Sequence, residues 1–220
     1  MYTDRKDAGQ ALARSLESYR DSDCLVLALP RGGVVVGFEI ARELHAPLEV
    51  LVVRKLGAPM QPEFGFGAIG PGGALILDER SVRMLGLSQE DIRRVIDHEQ
   101  GEMQRRQEAY QGNRPRPSLR DRTVILTDDG LATGVTARVA IQAVRDAGAA
   151  AVVLAVPVAP AGADVEFGGI VDEFVCPQMP SHFQAIGQFY EQFDQTRDEE
   201  VIDLLERARR DGGQAARRAG

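Results

Sequence analysis

Two adjacent carboxylates, Asp128 and Asp129, follow the apolar run Thr123–Thr127 (TVILT) and precede a stretch of small and hydroxyl-bearing residues, Gly130, Leu131, Ala132, Thr133, Gly134, Val135 and Thr136. A buried strand would deliver both carboxylates to its C-terminal end, and ligands of open α/β sheets bind just beyond such ends. Small residues let backbone N–H groups approach an anion. The helix that follows adds the positive end of its dipole, and Thr133 and Thr136 add hydroxyl donors. The loop suits a phosphate, while the carboxylates suit vicinal hydroxyls. A ribose 5-phosphate carries both features.

The elements that must position this segment can be read from apolar spacing. Residues 24–29 (CLVLAL) form a short buried strand, broken by Pro30-Arg31-Gly32-Gly33, and helical spacing resumes over 34–44. Residues 48–53 (LEVLVV) are a second strand, which completes a right-handed parallel βαβ unit. Further on, the spacing predicts a strand at 123–127, a helix at 135–147 with Gly148 as its cap, and strands at 151–156 and 170–175. This alternation predicts an α/β fold, a mostly parallel sheet with helices on both faces.

Around that core, residues 5–19 read as an amphipathic first helix through Ala8, Leu12, Leu16 and Tyr19. Residues 54–73 are rich in Gly and Pro and read as a long loop, a length usually reserved for functional segments. Residues 88–110 read as a polar helix with Ser88 as N-cap and Asp91 placed to close the box, within an insertion spanning about 78–119. A helix runs from 198 to about 209, and 211–220 is expected to be a disordered tail after a single domain of 1–210.

Composition narrows the function classes. The chain has 220 residues, 44% hydrophobic and 27% charged, enough for a core of one domain. Its net charge of −7 disfavours nucleic acid as partner. The arginines at 105, 106, 114, 116, 120 and 122 are interleaved with acids and read as a solvated face. The two cysteines, Cys24 and Cys176, sit in apolar runs and the three histidines are scattered, so no zinc site is expected. No apolar run approaches the roughly 20 residues of a membrane span, and the N-terminus lacks a signal-peptide pattern. A soluble, cytoplasmic protein without membrane contact is expected.

Other phosphate-binding motifs fail on specific residues. A Walker A loop needs lysine where Val135 stands. A receiver-type domain carries its acidic pair on the first strand, whereas here it is on the third. Gly65 to Gly70 (GFGAIG) matches GxGxxG, but it runs into Pro71-Gly72-Gly73, where no helix can start.

The segment VILTDDGLATGVT at 124–136 resembles the signature of type I phosphoribosyltransferases. On that resemblance, Asp128 and Asp129 bind the ribose 2- and 3-hydroxyls of 5-phosphoribosyl-1-pyrophosphate, and Gly130 to Thr136 wrap its 5-phosphate. Arg31, Gly32 and Gly33 resemble the family's pyrophosphate loop, particularly the Arg-Gly-Gly turn of bacterial guanine/xanthine enzymes; the similarity continues through Ala41-Arg42-Glu43-Leu44. Arg54 and Lys55, at the end of the second strand, would serve the same polyphosphate, and residues 57–73 stand where the family has its flexible catalytic loop. The resemblance implies Mg²⁺, chelated mostly by the donor's own oxygens, with Asp128 and Asp129 as the protein's metal-side groups and Arg31, Lys55 and the acid pair as the catalytic set. It also implies a homodimer and a variable C-terminal hood, here about 176–210.

In that hood, Phe183, Phe189, Tyr190 and Phe193 form an aromatic cluster expected mainly to pack helices onto the sheet; Phe183 is the best candidate to stack on a base. Ala132 stands where purine-salvage enzymes of the family usually carry an acid, which argues against ordinary purine acceptors. The chain is similar nearly end to end to the bacterial group named "putative phosphoribosyltransferase". The expected function is transfer of phosphoribose to a nitrogenous base, of the nucleotide-salvage type. A donor-sensing regulator of the same fold and a hydrolase that uses water are the alternatives.

Overall fold

The computed structural model describes residues 1–112 and 117–218, with side chains described at all of these except 62, 63 and 212–218. Arg114 and Arg116 of the basic run lie outside the described residues. Of the rest of that run, Arg105 is exposed and pairs with Glu102 as a solvated face would. Arg122, by contrast, is half-buried between Asp23 and the Cys24 carbonyl, and the Arg106 Nε is buried without a hydrogen-bond partner.

Five parallel strands form the central sheet in the order β2-β1-β6-β7-β8, where β1 is Cys24–Ala28, β2 Leu48–Val50, β6 Thr123–Thr127, β7 Ala151–Ala155 and β8 Glu173–Val175. Alternate residues of β1 feed two cores. Cys24, Val26 and Ala28 pack under α2 (Gly32–Leu44) and α7 (Asp198–Arg218), whereas Leu25 and Leu27 join Val124, Leu126 and the apolar face of α5 (Val135–Asp146). Both faces are therefore covered, which explains why β1 is buried at every position. The expected α/β fold is the observed one.

Two strand ends differ from expectation. β2 stops at Val50 and β8 begins only at Glu173, where paired register with β1 and β7 stops and starts, although Leu51 N and Asp172 N still donate to the Ala28 and Val152 carbonyls. Arg54 and Lys55 thus do not end β2. They open β3 (Arg54–Ala58), which pairs antiparallel with β4 (Gln61–Ile69), itself paired with β5 (Leu75–Leu77). The expected loop of 54–73 is for the most part a small antiparallel sheet. Its glycines and prolines mask the pattern, but Leu56, Phe66 and Ile69 are buried against Ile92, and Ala68 against Val139 and Ala143 of α5. The GxGxxG match falls on β4 and opens no helix of the dinucleotide-binding kind.

The insertion holds α3 (Glu79–Met84) and α4 (Gln89–Gln111). α4 ties the small sheet to the main core: Ile92 packs on β3 and β4, while Met103 and Tyr110 join the cluster under α2. Its start is the expected capping box, with Ser88 Oγ accepting from Asp91 N at 3.1 Å and the Asp91 carboxylate accepting from Ser88 N at 3.1 Å. Ser88→Ala is expected to destabilise the protein by about 1 kcal/mol, read as a lower urea midpoint with unchanged slope. At the other terminus, α7 extends to Arg218, past the end expected near 209, so 211–218 of the expected disordered tail is helical and its last two residues lie outside the described residues. The helix-favouring Gln214-Ala215-Ala216-Arg217-Arg218 outweigh Gly212 and Gly213.

Candidate active site

The carboxyl ends of β1 and β6 lie side by side, with Ala28 opposite Thr127, so the Arg-Gly-Gly turn and the acid pair emerge together. Contact there is too close for side chains. A Cβ on Gly33 would lie 2.8 Å from Asp128 Cα and 3.1 Å from the Thr127 carbonyl, and one on Gly32 would lie 2.0 Å from Asp129 Oδ2. The peptide between Pro30 and Arg31 is cis. Two helices open onto this end of the sheet, α2 at Arg31 and α5 at Gly134, and neither has a side-chain cap. By contrast, Asp4 and Ser88 cap α1 (Arg5–Ser15) and α4. The first N–H groups of α2 and α5 remain available to an anion.

Between the acid pair and α5, Asp128, Gly130, Leu131, Ala132, Thr133, Gly134 and Thr136 line a cavity of about 200 Å³, closed by Leu29, Lys55 and Ile186. Leu131 N donates to the Val158 carbonyl at 2.8 Å, which pins the loop to the segment that follows β7. Gly134 takes a left-handed φ of 70°, and its missing Cβ would meet Phe167 Cζ at 2.6 Å; a buried ring backs the phosphate loop. Gly130 likewise makes room for Ile186.

Burial, then the neighbouring Asp129 charge, hold the Asp128 carboxyl well above the usual carboxylate range, against the pull of Arg5 and Lys55. Asp129 is raised by burial too, opposed chiefly by its hydrogen bond from Arg5. The pair is a site that gains from hydroxyl donors or a cation. Among the described residues no group of three or more His, Cys, Asp or Glu is placed to hold a metal ion. The acid pair alone cannot complete the octahedral shell of Mg²⁺, so it fits an ion that arrives with most of its oxygens on the ligand.

The expected site residues do not all converge. Asp128, Lys55 and the loop share one cavity, and Gly32 and Gly33 abut the acid pair. Arg31 reaches toward Asp198 at 3.9 Å, close to the Tyr110–Asp198 hydrogen bond. Arg54 pairs with Glu99 of α4 at 2.7 Å and, with Lys55 and Thr136, lines a second cavity beside the first. Val135 packs toward the small sheet. Phe183 does not line the cavity; its ring stacks on Phe189 with centroids 5.4 Å apart, and Ile186 holds the position by the loop.

Three contributors escaped the sequence reading. Arg5 Nε donates to Asp129 Oδ2 at 2.7 Å, Tyr190 Oη donates to the Asp129 carbonyl at 2.6 Å, and Phe167 supports Gly134. Their distance along the chain hides them: Arg5 and Asp129 are 124 residues apart, and no local spacing marks the pair.

This arrangement matches known proteins. Residues 2–194 match the family described as "Phosphoribosyl transferase domain". Two proteins named "Putative phosphoribosyl transferase", from Mycobacterium tuberculosis strains CDC 1551 / Oshkosh and ATCC 25618 / H37Rv, are each 46% identical over 98% of this chain. The chain spans about half the length of these curated relatives, 48% of each. The crystal structure of TT1426 from Thermus thermophilus superposes with a TM-score of 0.77 at 39% identity, covering 93% of this chain and 98% of that one. A parallel sheet carrying the acid pair and its small-residue loop at one end, matched over almost the whole chain, places this protein in the phosphoribosyl transferase domain family.

Proposed function

We propose that this chain transfers the 5-phosphoribosyl group of 5-phosphoribosyl-1-pyrophosphate to a nitrogenous base, releasing pyrophosphate, in the manner of nucleotide salvage. The observation that carries this reading is the shared cavity of Asp128, Lys55 and the loop from Gly130 to Gly134, set beside the uncapped start of α2. The loop amides and the Thr133 and Thr136 hydroxyls take the 5-phosphate at the N-terminus of α5. Asp128 and Asp129 accept the ribose hydroxyls, and Arg31, Lys55 and the first amides of α2 take the pyrophosphate.

In the reaction the bond from C1 to pyrophosphate breaks, a bond from C1 to the acceptor nitrogen forms, and that nitrogen loses its proton. The transition state has oxocarbenium character, as in glycoside chemistry, with positive charge on the sugar and negative charge on the departing group. The first amides of α2, fixed at the end of the sheet, need no reorganisation to meet that departing charge, which is where such sites derive most of their rate. Arg31 has to leave Asp198 to join them. Asp128 and Asp129 would be the protein's groups toward a Mg²⁺ that arrives on the donor, and that ion would supply further neutralisation of the pyrophosphate.

The test is pyrophosphate release from the donor with Mg²⁺ across a panel of bases, wild type against Asp128→Asn. Release that needs one base and falls at least about a hundredfold in the variant supports the transferase and names its acceptor. Release without any base points to a hydrolase, and donor binding without release to a sensor. Absence of donor binding sinks the reading.

A further inference from the structure

We propose that Arg5 is a positioning residue for Asp129, tying the ribose-binding carboxylate to the C-terminal segment that covers the site; this rests on the reading that Asp129 accepts a ribose hydroxyl. Arg5 opens α1, far along the chain from the loop, yet its Nε lies 2.7 Å from Asp129 Oδ2. The two side chains are only 12% and 14% exposed, so water competes weakly for either. The same guanidinium donates through Nη1 to the Asp194 carbonyl at 2.7 Å and lies 3.9 Å from the centroid of the Phe193 ring. One planar group thus joins a carboxylate, a carbonyl and an aromatic face, a combination lysine cannot reproduce.

The backbone around it is built for the same purpose. Tyr2 N donates to the Phe189 carbonyl, Glu191 N and Gln192 N donate to the Tyr2 and Thr3 carbonyls, and Asp4 caps the helix that starts at Arg5. Tyr190 Oη fixes the Asp129 carbonyl from the other side, and the Tyr190 ring stacks on Phe193 at 4.9 Å. Asp129 is therefore held at its carbonyl and at Oδ2, and its carboxylate also meets the side chain of Asp128, whose own side chain lines the cavity. The glycine at position 32 belongs to the arrangement, because a Cβ there would lie 2.6 Å from Arg5 Nε.

The experiment measures binding of ribose 5-phosphate and of inorganic phosphate to wild type, Arg5→Gln, Arg5→Lys, Asp129→Asn and the double variant R5Q/D129N. Arg5→Gln is expected to weaken ribose 5-phosphate about a hundredfold, the upper range for losing a hydrogen bond to a charged group, and to leave inorganic phosphate unchanged. Arg5→Lys is expected to recover about tenfold of that loss through its retained charge. The double variant is expected to bind no worse than Asp129→Asn alone, because both changes remove one interaction. Equal weakening of both probes, or no weakening of either, overturns the proposal and leaves the donor-site reading standing. If wild type binds ribose 5-phosphate no better than phosphate, the ribose reading falls and this proposal with it. Should Arg5→Gln not fold, Arg5→Lys decides: a loss shared by both probes overturns the proposal, and one confined to ribose 5-phosphate supports it.

Discussion

Gly33→Ala is expected to lower affinity for 5-phosphoribosyl-1-pyrophosphate, which would span the turn and the acid pair, about a hundredfold and to destabilise the fold by about 1–3 kcal/mol. The alanine methyl would sit 2.8 Å from Asp128 Cα and 3.1 Å from the Thr127 carbonyl, both backbone atoms that cannot rotate away. Relief requires the start of α2 to withdraw from the end of β6, which separates the proposed pyrophosphate turn from the acid pair. Gly32→Ala meets side-chain atoms instead, Asp129 Oδ2 and Arg5 Nε, so it breaks the ion pair while leaving the strand ends in register. Calorimetric titration with urea unfolding of the same samples separates the two cases. Unchanged affinity in Gly33→Ala would show that the turn and the acid pair do not share a ligand.

The second large effect lies behind the phosphate loop. Phe167→Ala is expected to cost about 3–5 kcal/mol, the range for truncating a fully buried ring. Phe167 has no exposed surface, stacks on Phe174 with centroids 6.1 Å apart, and lies under the Arg138 guanidinium. It also fills the space that a Cβ on Gly134 would need. Removing it leaves a cavity against the one loop residue that needs a left-handed φ, so binding of inorganic phosphate weakens together with stability. A variant that lost stability but kept phosphate affinity would show that Gly134 holds its turn without the ring.

Much of this was legible beforehand because it is local. TVILT followed by two acids and a run of small residues is strand, site and helix start in one continuous segment, and the burial of every position in β1 follows from its unbroken apolar run. The capping box at Ser88 and Asp91 is local in the same sense. The small sheet was not legible: β3 and β4 shift register at Leu56, Gly57 and Ala58, so the period of two is interrupted where glycines cluster. Arg54 was misplaced for a related reason. Its partner, Glu99, comes from a helix inside the insertion, and only the docking of α4 on β3 brings them together.

The sequence by itself determined the class of fold, the strand that carries Asp128 and Asp129, and the loop suited to a phosphate. Each of these depends on neighbours a few residues apart, whose conformations follow from hydrophobic period and small-residue geometry. Only the tertiary structure decided which charges meet: Arg5 with Asp129 across 124 residues, Arg54 with Glu99, Arg31 toward Asp198, and Ile186 instead of Phe183 beside the loop. Ion pairs and ring contacts of this kind are set by where whole elements pack, and the local pattern of the chain carries no record of that.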